Sequence, residues 1–199
     1  MNKQNIVLII GVVGISSLIL TGVLFLQGKN GGAGSVVDST KFNFKNAIGQ
    51  KAPDFTLPDI SGNNVNLAGL LGKNVVLFFN EGLMCYPACL DQVVQLSQDS
   101  RLSSDNTVAF SIVVDSPTNW QKSEKDLPYL AGAKVLFDKN GSVSQLYDTL
   151  KLPSSMHKGI YPGHTYFVID KQGIIRYTFD DPYMGIRNDT IAGEIEKLK

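Results

Sequence analysis

The chain has 199 residues, enough for one domain with a full core and an appendage. Residues 1–29 hold Lys3 and Lys29 and no acid, so the remainder carries 18 − 2 = 16 basic residues against 18 acidic ones. That slight acidic excess stands against a nucleic-acid surface, which needs clustered Lys and Arg.

After a five-residue tail, residues 6–26 run for 21 positions without a charge. As a helix rising about 1.5 Å per residue this segment spans about 30 Å, the thickness of a bilayer core. A cleaved signal peptide and a buried helix are the alternatives. A secretory apolar region is usually only about 7–15 residues long, and no small-x-small site follows closely, so the expectation is one uncleaved transmembrane helix. Lys3 and the terminal amine on one side, with Lys29, Lys41 and Lys45 on the other, leave charge counting undecided. A short tail before a single span has the layout of a signal anchor, which puts the domain outside the cytoplasm. Residues 27–44 include Gly31, Gly32, Gly34 and Ser35, the composition of a flexible tether. Residues 45–199 are then the globular domain.

Within it, residues 55–57 and 65–67 flank a turn at Ser61-Gly62-Asn63-Asn64 and suggest a short hairpin. Residues 75–79 form a continuous apolar run, the pattern of a central strand covered on both faces. A helix is expected over 86–100, with Cys89, Val93 and Leu96 on one stripe. A buried strand follows at 108–114, a helix at 119–127, a strand at 135–137 and a helix at 142–150. Strands at 166–169 and 174–179 enclose the turn at Lys171-Gln172-Gly173, and a last helix covers 189–198. This alternation predicts an α/β fold, a mixed sheet with helices on both faces.

The chain's two cysteines, Cys85 and Cys89, are four apart at the junction of the central strand and the next helix. Unpaired N–H groups at a helix amino-terminus stabilise a thiolate and lower a cysteine pKa from about 8.5. Pro87 suits the first turn, where its missing N–H costs nothing. Cys85 is therefore expected as attacking thiolate and Cys89, further along the apolar stripe, as resolving thiol. Two small hydrophobes packed in a helix are the alternative. Two cysteines with His157 and His164 make a poor zinc set, and neither a metal nor an organic cofactor is expected. There is no Gly-rich phosphate loop.

Gly49-Gln50-Lys51-Ala52-Pro53-Asp54-Phe55-Thr56-Leu57 and Gly72-Lys73-Asn74-Val75-Val76-Leu77-Phe78-Phe79 resemble the opening of the alkyl hydroperoxide reductase/thiol-specific antioxidant family. Val135-Leu136-Phe137-Asp138-Lys139-Asn140-Gly141 and Tyr166-Phe167-Val168-Ile169-Asp170-Lys171-Gln172-Gly173 extend the resemblance over about residues 48–198. It implies a thioredoxin-like fold and peroxiredoxin-like redox chemistry through the two cysteines, renewed by an external thiol reductant such as a thioredoxin-like protein. The departures are local. Peroxiredoxins of this family carry Pro-x-x-x-Thr-x-x-Cys, whereas Phe78 and Gly82 stand at the Pro and Thr offsets from Cys85. Thioredoxin-like reductases carry Cys-x-x-Cys, and Cys85-Tyr86-Pro87-Ala88-Cys89 has one residue more.

Three residues are candidate supports. His164 falls near the place where many peroxiredoxins have an Arg, and would steady the Cys85 thiolate or relay its proton. Arg176 would approach from the neighbouring strand, and Glu81 would accept the Cys89 proton. The expected activity is hydroperoxide reduction by a membrane-tethered enzyme through a Cys85/Cys89 dithiol–disulfide cycle. The alternatives are exchange with protein disulfides and a non-catalytic binding module of the same fold.

Overall fold

The computed structural model describes residues 42–198. The expected anchor at 6–26 and the tether up to residue 41 lie outside the described residues. Among the described residues no helix is long and apolar enough to cross a membrane.

A two-stranded hairpin, β1 (Thr56–Pro58) and β2 (Asn64–Asn66), precedes a five-stranded sheet of β3 (Asn74–Phe79), β4 (Thr107–Val113), β5 (Val135–Phe137), β6 (Thr165–Ile169) and β7 (Ile175–Asp180). Its order is β5-β4-β3-β6-β7, with β3, β4 and β5 parallel and β6 and β7 antiparallel. The sheet is mixed, as the alternation predicts. The helices are α1 (Ala88–Gln98), α2 (Pro117–Asp126), α3 (Ser142–Leu146) and α4 (Asn188–Glu196).

β3 is the centre because all six of its residues are buried. Side chains alternate across a strand, so Val76 and Phe78 join a core with α1, Trp120 of α2 and Ile191 of α4. Val75, Leu77 and Phe79 join a second core with Phe55, Leu57, Val143 of α3, Tyr147 and Phe167. Burying each such side chain contributes about 1.5–3 kcal/mol. Helices thus cover both faces, the second only in part.

The domain starts before residue 45. Phe42 lies 5.4 Å from Tyr147 and Phe44 5.6 Å from Phe167, ring to ring. Two aromatic rings at the end of a Gly-rich stretch find buried partners that composition does not reveal. The third helix is shorter than 142–150, stopping before Asp148, whose φ of 57° ends the turn.

Candidate active site

After β3 the chain passes Asn80 and Glu81 into a short 3-10 turn, Gly82–Met84, reaches Cys85, and enters α1 at Ala88. Cys85 and Cys89 are joined in a disulfide, with Cα atoms 5.3 Å apart. Cys85 therefore sits just ahead of the helix rather than within its first turn. Its carbonyl accepts the Cys89 N–H at 3.0 Å. Pro87 stands at the N-cap position, one residue outside the helix expected from 86. Both cysteines are covered, Cys85 at 4% and Cys89 at 1% exposure. In the disulfide, exposure does not separate attacker from resolver.

Gly82 is fixed here by geometry. Its φ is +59°, in the left-handed region that favours glycine, and a Cβ would overlap the Asp115 carboxylate. Asn80 Oδ1 accepts the Gly82 N–H at 2.9 Å and Asp115 Oδ2 accepts that of Leu83 at 3.1 Å. A threonine at this offset has no room, because Asp115 occupies its volume. Burial pushes the Asp115 carboxyl above its ordinary value, with the Leu83 N–H opposing.

His164 meets Cys89 rather than Cys85. Its Nδ1 lies 3.6 Å from Cys89 Sγ, and its Nε2 lies 2.9 Å from Tyr166 Oη. Phe78, at the offset where the family has proline, packs edge-on against the His164 ring at 4.5 Å and stacks on Tyr166 at 4.7 Å. Burial pushes the His164 pKa down to about 4, although the nearby Asp181 charge opposes the shift. The ring is neutral at pH 7. If Nε2 donates to Tyr166, Nδ1 presents a lone pair to Cys89.

Glu81 turns away from the role expected of it. Its buried carboxylate accepts the N–H groups of Met156 (2.6 Å) and His157 (3.0 Å), and Oε2 meets His157 Nδ1 at 2.8 Å. It anchors the 150–163 loop. Arg176 binds Asp170 at 2.5 Å, with its side chain 48% exposed. The register pairs Thr165 with Phe79 and Asp180, and Ile169 with Val75 and Ile175. Arg176 thus lies at the end of β7 away from His164, roughly four residues or about 13 Å along the strands. A period-two pattern gives the side of a strand and not its end.

Residues 181–187 escape the sequence reading and close the site. Asp181 is fully buried and accepts from Tyr183 N (3.1 Å), Gly185 N (3.0 Å), Arg187 Nε (2.6 Å) and Arg187 Nη2 (3.0 Å). Burial alone would push its carboxyl up. The Arg187 guanidinium and those N–H groups together hold it below the usual carboxylate range. Gln92 of α1 ties the loop to the cysteine helix, accepting the Arg187 N–H at 2.6 Å and donating to Asn188 Oδ1 at 2.9 Å. Met184 Sδ lies 3.7 Å from Cys85 Sγ. The turn signals Asp181-Pro182 and Gly185 mark the loop in the sequence; nothing there marks its contact with Cys85.

Among the described residues no group of three or more His, Cys, Asp or Glu could hold a metal. A cavity of about 130 Å³, lined by Lys51, Leu67, Leu71, Val75 and Ile169, lies at the opposite end of β3 from the disulfide.

The chain is similar to known proteins in sequence and in fold. The AhpC/TSA family model matches residues 48–178. The chain is 31% identical over 153 residues to the peroxiredoxin Bcp of Escherichia coli, covering 75% of this chain and 95% of that protein. It is 34% identical over 133 residues to the peroxiredoxin Bcp of Bacillus subtilis, covering 63% and 80%. Among solved structures, the peroxidoxin BcpB of Mycobacterium tuberculosis superposes with a TM-score of 0.62 at 20% identity, over 77% of this chain and 98% of that one. A putative protein disulfide isomerase of Bacteroides thetaiotaomicron superposes with a TM-score of 0.59 at 20% identity, over 76% and 89%; at these identities the two likenesses establish the thioredoxin-like fold alone. The matched span holds the central strand, the cysteine pair and β6, and the chain belongs to the AhpC/TSA family of thiol-dependent oxidoreductases.

Proposed function

We propose that this chain is a thiol peroxidase that reduces hydroperoxides through Cys85 and Cys89. The Cys85 thiolate attacks the terminal oxygen of ROOH. The O–O bond breaks, Cys85 becomes a sulfenic acid, and the departing alkoxide takes a proton to leave as ROH. The Cys89 thiol then attacks the Cys85 sulfur, forming the disulfide and releasing water. An external thiol protein returns both cysteines to the reduced state. The observation that carries this reading is the Cys85–Cys89 bond at the end of β3, in a chain whose curated relatives are named peroxiredoxins. His164, at 3.6 Å, is placed to take the Cys89 proton in the second step.

A second reading, exchange with protein disulfides, is favoured by one observation: Gly82 offers no hydroxyl ahead of Cys85 to hold a peroxide. Reduced full-length chain mixed with stoichiometric hydrogen peroxide or an oxidised model protein, then quenched in acid, separates the two. Faster disulfide formation with peroxide supports the peroxidase. Faster formation with the protein overturns it in favour of exchange.

Residues 6–26, uncharged and 21 long, support the further proposal of a single-pass anchor holding the domain outside the cytoplasm. A chain that stays in membranes after alkaline carbonate washing, and leaves them when residues 6–26 are deleted, supports this. Release of the intact chain by the wash overturns it.

A further inference from the structure

Met184 is a bulky non-glycine residue with φ of +51°, a left-handed conformation that L side chains rarely adopt. Such a residue persists where its surroundings over-determine it, and these do so from three sides. Its own N–H bonds the Asp181 carbonyl at 3.1 Å. The buried Asp181 carboxylate gathers the N–H groups on both flanks of Met184, those of Tyr183 and Gly185, together with the fork of Arg187. Gln92 then fastens the loop to the helix that carries Cys89. The effect is to hold one thioether against one sulfur: Met184 Sδ is 3.7 Å from Cys85 Sγ. Cys85 has no thiol proton in the disulfide, so this is van der Waals contact, with no room for a third atom between the sulfurs.

Reduction of the pair requires an incoming thiolate to touch Cys85 or Cys89, and both are covered. Around the cover lie exposed large side chains: Met84 and Tyr86 on either side of Cys85, at 53% and 64% exposure, and Tyr183 beside Met184, at 89%. A protein resting on this rim gains contact energy that can be used to displace the loop, whereas a small thiol touches too little.

We propose that Met184 is a specificity-determining residue for reduction of the Cys85–Cys89 disulfide, excluding small monothiols and reserving the bond for a dithiol protein that docks on Met84, Tyr86 and Tyr183. The partner's thiolate displaces Met184 and attacks Cys85, and Cys89 leaves as a thiolate that takes the proton given up by the partner. The partner's second thiol attacks the mixed disulfide, freeing Cys85 and leaving the partner oxidised. Selection here works by obstruction, not by a new attraction. The proposal rests on the dithiol–disulfide cycle given above.

The test uses oxidised full-length chain and measures its reduction by glutathione and, separately, by a purified thioredoxin, quenched in acid and read as alkylated thiols by mass. Met184→Ala is expected to speed reduction by glutathione about tenfold and change that by thioredoxin less than about twofold. Met184→Leu, keeping the bulk, should behave as the parent. Met184→Gly removes the side chain together with the cost of the positive φ, and should match Met184→Ala on an unstrained loop. Unchanged glutathione rates in both truncations overturn the selection and leave the cycle standing. Equal acceleration with both reductants overturns it too, as general loosening. A pair that neither reductant opens in any variant overturns selection and cycle together.

Discussion

Two Arg–Asp pairs lie at opposite ends of β7, and they differ in what surrounds them. Arg176 meets Asp170 at the far end, with the arginine side chain 48% exposed. Arg187 meets Asp181 beside the disulfide, with the arginine side chain 30% exposed and making two hydrogen bonds where Arg176 makes one. Both aspartates are buried and both gather two backbone N–H groups, Asp170 those of Gln172 and Ile174, Asp181 those of Tyr183 and Gly185. The contact distances are nearly the same, 2.5 Å and 2.6 Å. What differs is the arginine: water reaches and screens Arg176 more, while Arg187 is more covered, makes two bonds to its aspartate and lies 5.7 Å over the Phe179 ring. The arginine singled out in the sequence lies away from the disulfide, and the unnoticed one holds the loop that closes the site.

The largest effect should come from Arg187→Ala. Leaving Asp181 buried without its partner is expected to cost about 3–5 kcal/mol in urea denaturation at pH 7. A loss below about 1 kcal/mol, the value for a surface pair, would erase the contrast between the two ends.

His164 sharpens the contrast through pH. Its folded pKa is depressed from 6.5 to about 4, so between those values the unfolded chain binds more protons and stability rises with pH. The contribution is complete above pH 6.5 and is lost as pH falls toward 4. His164→Asn should therefore reduce the drop in stability between pH 7 and pH 4 by about 3 kcal/mol. An unaltered slope would mean that the ring is protonated in the folded chain.

A smaller loss, about 2 kcal/mol, is expected for Gly82→Ala, which forces a side chain into a left-handed turn and pushes Asp115 off the Leu83 N–H. Thermal unfolding measures it. Smallest is Arg176→Ala, expected within about 1 kcal/mol by the same urea experiment. A cost like that of Arg187→Ala would show that the arginine's exposure is not what separates the pairs.

Much of the fold is legible from the residues. The apolar run at 75–79 has the pattern of a strand covered on both faces, and it is the central one. The mixed sheet follows from the alternation of strands and helices, and the disulfide from the cysteine spacing; the order of the strands does not. Helix ends were less legible, since Tyr86 and Pro87 have composition suited to a first turn yet stand outside it. The site was legible only at its centre. Glu81 and Arg176 carry suitable chemistry, but their carboxylate and guanidinium are taken up by Met156, His157 and Asp170.

The cysteine pair, its place after a buried strand and its redox chemistry are legible in the residues, because apolar periodicity and residue spacing are properties of the local chain. The folded chain alone brings His164 against Cys89, Asp115 into the space beside Gly82, and Met184 over Cys85. Those contacts join residues from 33 positions apart to 99 positions apart, counting 115 − 82 and 184 − 85. No periodicity carries across such separations; the register of β3 with β4 and β6, that of β6 with β7, and the clamp at Asp181 bring these side chains to the same end of the sheet.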